Sequence, residues 1–166
     1  MGYYYSGKTN ASQVSEEVKK IKVKDLKAVP AVVSDKFSVY ETIVSLFVFD
    51  VGSLFIVSEG GLLEGVVSRK DLLKIALGQG DLHKIPITVV MTRMPNVVSV
   101  TPEDSLWHAA QQLVIHEIDS LPVVRPVNLE GREGMEVIGR ITKTTITKAF
   151  YELGQGLPII QGGGTL

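Results

Sequence analysis

Residues 32–57, VVSDKFSVYETIVSLFVFDVGSLFIV, align without a gap on residues 99–124, SVTPEDSLWHAAQQLVIHEIDSLPVV. This self-similarity decides how the chain folds. A constant shift of 67 residues sets Val39 on Leu106, Leu46 on Leu113 and GSLFIV (52–57) on DSLPVV (119–124). In each copy the apolar spacing reads as a short strand, an amphipathic helix and a second strand. Beyond that strand the shift becomes 74, so that GVVSRKD (65–71) meets GRITKTT (139–145), and the second hairpin carries seven extra residues.

Working outward, residues 1–14 are polar and Glu16–Ile21 reads as a short helix. A strand at AVVS (31–34) precedes a helix over Ser38–Phe49. Strands SLFIVSE (53–59) and LLEGVVS (62–68) flank Gly60 and Gly61, and a helix over Arg69–Leu77 ends at Gly78. After a connector, GQGDLHKIP (78–86), the order begins again with strand NVVSV (96–100), a helix over 102–116 and strand SLPVV (120–124). A charged loop, RPVNLEGREG (125–134), then leads to strand EVIGRI (136–141) and a last helix from Lys143.

Each unit of strand, helix, strand, strand and helix is about 55 residues long. So small a unit has too little interior to stand comfortably alone, so the two should pack around a shared interface. The fold class expected is α/β (α+β): tandem β-α-β-β-α repeats packed as a pseudo-twofold pair, with a natural ligand cleft between them. Residues 1–22 read as a linker or the end of a preceding domain, 23–80 and 81–154 as the two repeats, and 155–166 as a flexible tail.

Composition narrows the function. Hydrophobic residues make up 45% of the 166, mean hydropathy is +0.21, and the net charge is -1 with 17 scattered basic residues. The chain therefore buries a real core and shows no basic surface for nucleic acid. Cysteine is absent, which removes disulfides, thiolate catalysis and cysteine-ligated zinc and points to a cytoplasmic location. His108 and His116 stand eight apart on one helix and His83 in a polar loop, a poor basis for a metal site. MGYYYSGKTNAS (1–12) lacks the order of a signal peptide, and TIVSLFVFDVGSLFIV (42–57) is broken by Asp50 and Gly52, so no membrane span is expected.

Chemistry concentrates where the second hairpin strand of each repeat enters its helix. Ser68 and Asp71 have the spacing of a capping box, a serine accepting from first-turn amides and an acid reaching back three residues. SVYE (38–41) and TPED (101–104) share that spacing, the latter with proline at the favoured first helical position. The same group is also suited to a ligand: a carboxylate accepts from two vicinal hydroxyls, the helix amides face phosphate, and Arg69 and Lys70 add charge. Capping and binding are compatible for Ser68.

The duplicated β-α-β-β-α order, with SLPVV (120–124) before the hairpin and glycine-apolar-apolar-[Ser/Thr]-x-x-[Asp/Asn] at its exit, resembles the CBS-domain pair, or Bateman module, from about Val23 to Leu153. That resemblance implies an adenine nucleotide (AMP, ADP or ATP, with or without magnesium on the phosphates) bound between repeats, Asp71 on the ribose diol and Ser68 near phosphate. The second copy departs from the pattern: Thr142 is kept, but Thr145 stands where an acid is expected. Its cleft, with Lys143, is then empty, weaker, or suited to another part of the ligand; otherwise Thr142 simply caps the helix.

By repeat symmetry Thr101, Leu106 and Ile118 are expected near Asp71, and Ser34, Val39 and Val51 near Thr142, ordinary core being the alternative for the apolar ones. Arg93 in MTRMPN (91–96) is either a phosphate contact or a solvated loop charge. KIKVKDL (20–26), VSRKDLL (67–73), VMTRMPN (90–96) and GYYYSGKTN (2–10) further resemble the regulatory half of CcpN-type repressors of gluconeogenic genes, in which a winged helix-turn-helix domain precedes the CBS pair.

This implies a non-catalytic homodimer that meets DNA only through a helix-turn-helix domain outside this chain, with nucleotide occupancy passed on as a conformational difference. Trp107 and the 102–116 helix are candidate interface residues, with core packing as the alternative. The competing reading attaches the same module to an enzyme or transporter. Direct catalysis has little support, because Ser68 and Asp71 lack a histidine base, a cysteine or a paired carboxylate; the one opening is Asp50, Asp71 and Asp119 gathered on magnesium.

Overall fold

The computed structural model describes residue 16 and residues 18–155. The elements are β1 (Val32–Ser34), α1 (Val39–Val48), β2 (Ser53–Val57), β3 (Leu63–Ser68), α2 (Arg69–Ala76), β4 (Thr92–Arg93), α3 (Leu106–Ile115), β5 (Ser120–Leu129), β6 (Arg132–Thr142) and α4 (Lys143–Gly154). Short 3-10 turns at Val23–Asp25 and Ile87–Val89 lead into the two repeats. The polar start and all of the expected tail but Gln155 lie outside the described residues.

β1 runs parallel to β2, which pairs antiparallel with β3, and β3 with β4, giving the sheet order β1-β2-β3-β4. The second repeat keeps the antiparallel pair β5-β6, but its expected first strand, NVVSV, shrinks to a single parallel bridge between Val100 and Val123. Proline explains the loss. Phe55 N–H donates to the Ala31 carbonyl at 2.9 Å, whereas its counterpart Pro122 has no N–H to give.

Two other expectations change. The stretch RPVNLEGREG is no loop: β5 and β6 run as strands of 10 and 11 residues to a tight turn in which Glu130 and Gly131 have φ of 52° and 83°. Both turn residues in the left-handed region match the twist of a two-residue hairpin. Helix α3 starts at Leu106, later than TPED implied, with the Ser105 side chain accepting from His108 N–H at 3.0 Å. Thr101 and Asp104 instead close their own turn, the Asp104 carboxylate accepting from Thr101 N–H at 2.6 Å. Ser38 and Glu41 do form the reciprocal box at the start of α1, and Ser38 is the residue the 67-residue shift sets on Ser105.

The lead-in segments cross over. Leu106 N–H donates to the Ile21 carbonyl and Val23 N–H to that of Asp104; the matching pair in the other repeat is Val39 N–H to Ile85 and Ile87 N–H to Phe37. Val23 therefore packs in the second repeat's core with Leu113, Leu121 and Ile141, while Ile87 and Met91 fill the first repeat's core with Val39, Leu54 and Leu72. A further cluster, Phe55 and Leu63 against Val97 and Val124, joins the repeats. The motif glycines make this packing possible. A Cβ on Gly65 would lie 2.6 Å from the Thr92 carbonyl, and one on Gly139 would lie 2.8 Å from that of Ala28. At the centre of the pair the buried hydroxyls of Ser53 and Ser120, residues matched by the 67-residue shift, hydrogen-bond to each other and mark the pseudo-twofold axis.

Candidate ligand clefts between the repeats

Two clefts open on either side of that serine pair. The first, about 610 Å³, is bounded by Ser68–Asp71 at the β3–α2 junction and by Glu117–Ser120 of the other repeat. Val66, Val97, Val98, Ile118 and Pro122 supply apolar wall. The strand delivers Ser68 in extended backbone to the helix start, so its hydroxyl accepts from Asp71 N–H at 3.2 Å. Asp71 Oδ2 in turn accepts from Ser68 N–H at 3.1 Å and from the Ser68 hydroxyl at 2.5 Å. Asp71 Oδ1 has no hydrogen-bond partner among the described residues, so one carboxylate oxygen holds the helix start and the other makes no protein contact there. Arg69 lines the same cleft with its guanidinium donating to the Val51 carbonyl at 3.1 Å, and Lys70 lies exposed beside it.

The second cleft, about 480 Å³, is bounded by Asp50–Ser53, Asp119, Ser120, Arg140 and Thr142–Thr144. Here the box is made by two hydroxyls: Thr145 N–H donates to Thr142 Oγ1 at 3.1 Å, and the two Oγ1 atoms lie 3.0 Å apart. Lys143 Nζ is 2.6 Å from an Asp119 carboxylate oxygen. Partial burial lowers the Arg140 pKa from its ordinary value, which still leaves the guanidinium charged at neutral pH.

Of the symmetry-expected walls, only Ile118 reaches the first cleft and only Val51 the second. Val39 and Leu106 line neither, being fully buried in the cores, because the first residue of each amphipathic helix points inward. Thr101 is held in its Asp104 turn, and Ser34 Oγ accepts from Lys36 N–H at 3.1 Å; neither faces a cleft. Arg93 is drawn along β4 to the Thr88 carbonyl, 2.6 Å from Nη2, and lies outside the cleft that Thr92 and Asn96 line. Thr145 supports the second site through Thr142 without lining it. Sequence reasoning missed Arg140, although the 74-residue shift sets it on Val66, and it missed Pro122 and Val97–Val98.

A larger groove of about 750 Å³ runs beside the long hairpin between Leu62, Met94, Pro126 and Met135 and contains none of the motif residues. Among the described residues no His/Asp/Glu cluster is arranged to hold a metal ion, and no helix is long and apolar enough to cross a membrane.

The CBS domain family profile matches residues 23–78 and 87–152. The chain is 41% identical to the transcriptional repressor CcpN of Bacillus subtilis over 155 residues, 93% of this chain and 71% of that protein. It is 32% identical over 101 residues to the CBS domain-containing protein YhcV of the same organism, covering 61% of this chain and 70% of YhcV. Among solved structures, the CBS domain pair of protein MJ0100 in complex with 5'-methylthioadenosine and S-adenosyl-L-methionine superposes with a TM-score of 0.64 at 29% identity, covering 80% of this chain and 97% of that one. The paired repeats, their exchanged lead-ins and the two inter-repeat clefts thus belong to a protein of the CBS-domain family, homologous to a bacterial transcriptional repressor.

Proposed function

We propose that this CBS pair is the ligand-sensing module of a transcriptional repressor, binding an adenine nucleotide in the Asp71 cleft and passing occupancy to a DNA-binding domain. The observation that carries the reading is the pairing of Asp71 Oδ1, without a hydrogen-bond partner among the described residues, with an apolar wall across the same cleft. A carboxylate oxygen accepts from ribose hydroxyls, the wall takes the base, and Arg69, Lys70 and the amides opening α2 face the phosphates. The MJ0100 pair is in complex with two adenosyl compounds, which supports an adenosine-type ligand; neither carries a phosphate, so the phosphate part of the reading rests on the residues alone. Kinship with CcpN favours a repressor over an enzyme or transporter as the attached effector. Signalling of this kind needs no reacting residue, only unequal affinity for two conformations, so the module is read as non-catalytic, and kinship with a bacterial repressor favours a cytoplasmic location.

The module is further read as a homodimer. Exposed apolar residues recur on both repeats at matched positions: Tyr40 with Trp107, Phe47 with Val114, Val48 with Ile115, and Leu77 with Tyr151. Val44 and Leu73 are exposed on the same helices, and large apolar side chains of this kind are what protein interfaces bury. A surface that repeats itself about a pseudo-twofold axis suits a second copy of the same chain. Titration calorimetry with AMP, ADP and ATP, with and without magnesium, tests the ligand; light scattering on the eluting protein tests the dimer.

A further inference from the structure

The two clefts differ in chemistry. At matched positions the first has Val66 and Asp71, and the second has Arg140 and Thr145. An acid is removed and a cation is added, two changes in the same direction. β6 fixes Arg140 opposite Pro122, so its side chain stands at the cleft from a paired strand. Of the five arginines in the chain, Arg69, Arg93, Arg125 and Arg132 each donate to a carbonyl or carboxylate. Arg140 alone has no hydrogen-bond or ion-pair partner among the described residues.

From this we propose that the Thr142 cleft is an oligophosphate site, with Arg140 as its principal cation and Lys143 as its second, a proposal that rests on reading the inter-repeat clefts as ligand sites. The acids in the same cleft decide the class of anion. Asp50 and Asp119 repel a singly charged ligand, and Asp119 already occupies Lys143. A di- or triphosphate carries enough charge to take Lys143 from an exposed carboxylate, a pairing worth little in water, while the planar guanidinium grips two oxygens at once. Thr142, Thr144 and Ser53 line the same space, and about 480 Å³ accommodates a triphosphate chain. With no carboxylate at position 145 to grip a diol, a ribose is not selected here.

The test titrates inorganic tripolyphosphate, adenosine and ATP into wild-type protein and into Arg140→Val, Arg140→Lys, Lys143→Gln and Asp71→Ala. Valine is the first repeat's own residue at that place, so the strand tolerates it, and thermal melts verify folding. One tripolyphosphate per chain is expected, bound about tenfold or more weakly by Arg140→Val, partly restored in Arg140→Lys and unchanged in Asp71→Ala. Raising salt from about 50 mM to about 500 mM should weaken it strongly. Competition by ATP for the Arg140-dependent site identifies a nucleotide tail as the source of the phosphates; absence of competition identifies inorganic oligophosphate, and either supports the site. No binding of tripolyphosphate by wild type, or equal binding by Arg140→Val, overturns it. Failure of the Asp71 reading shows separately, as adenosine binding indifferent to Asp71→Ala.

Discussion

Replacing Asp71 by asparagine separates the two tasks of that side chain. Oδ2 holds the Ser68 N–H at 3.1 Å, and an asparagine carbonyl oxygen takes over that bond with little change of shape. The helix start therefore loses less than about 1 kcal/mol, and the melting temperature falls by no more than about 4 °C. On the cleft side the amide presents an NH2 where Oδ1 stood, which cannot accept from a ribose hydroxyl. Hydrogen bonds to a charged acceptor contribute about 1.5–3 kcal/mol, so nucleotide affinity should drop roughly 10- to 150-fold. Calorimetric titration with the best-binding nucleotide reads the affinity, and a thermal melt of the same sample reads the fold. Unchanged affinity in a well-folded Asp71→Asn protein refutes the assignment of Oδ1 to the ribose.

Gly65→Ala would set a methyl 2.6 Å from the Thr92 carbonyl and Met91 Sδ, so it should cost about 1–3 kcal/mol in a denaturant melt; an unchanged midpoint contradicts the close-approach account. Ser53→Ala strands the buried Ser120 hydroxyl and should destabilise by about 1–3 kcal/mol, whereas the double change with Ser120→Ala should be milder than either single one, which a double-mutant cycle measures. Hydrogen bonds from the Ser38 amide and then its hydroxyl hold the Glu41 pKa below the usual glutamate value. Its contribution to stability is thus complete above that value and is lost as pH falls through the depressed one, so Glu41→Gln should flatten acid melting in that window only. If the proposed dimer forms through this face, Phe47→Asp, at a residue 79% exposed, should elute as a monomer in light scattering where wild type elutes as a dimer; a monomeric wild type, or a dimeric variant, contradicts it.

What was legible in the sequence was whatever repeats. Apolar spacing at a constant shift located the helices and hairpin strands, and Ser68 with Asp71 was visible as the cap of α2, the ligand role being the part proposed above. Local pattern misled where a long-range partner decides the structure. RPVNLEGREG is too charged to read as strand, yet each half finds its ladder in the other, with Arg125 and Glu136 facing each other across it. The lead-ins around Val23 and Ile87 exchange repeats through backbone bonds that leave no periodic trace. For Val39 and Leu106 symmetry left cleft wall and ordinary core both open, and the structure buries both because the inward face of an amphipathic helix takes its first residue. Arg140 lay in plain view over Val66, but a single cation at a strand end has meaning only once a cleft is seen in front of it.

The most direct test of the central claim is titration of the full chain with AMP, ADP and ATP, with and without magnesium, followed by calorimetry. Saturable binding of at least one of them, lost in Asp71→Ala, is the predicted result. No binding of any by the folded wild-type protein contradicts the account of this CBS pair as an adenine-nucleotide sensor.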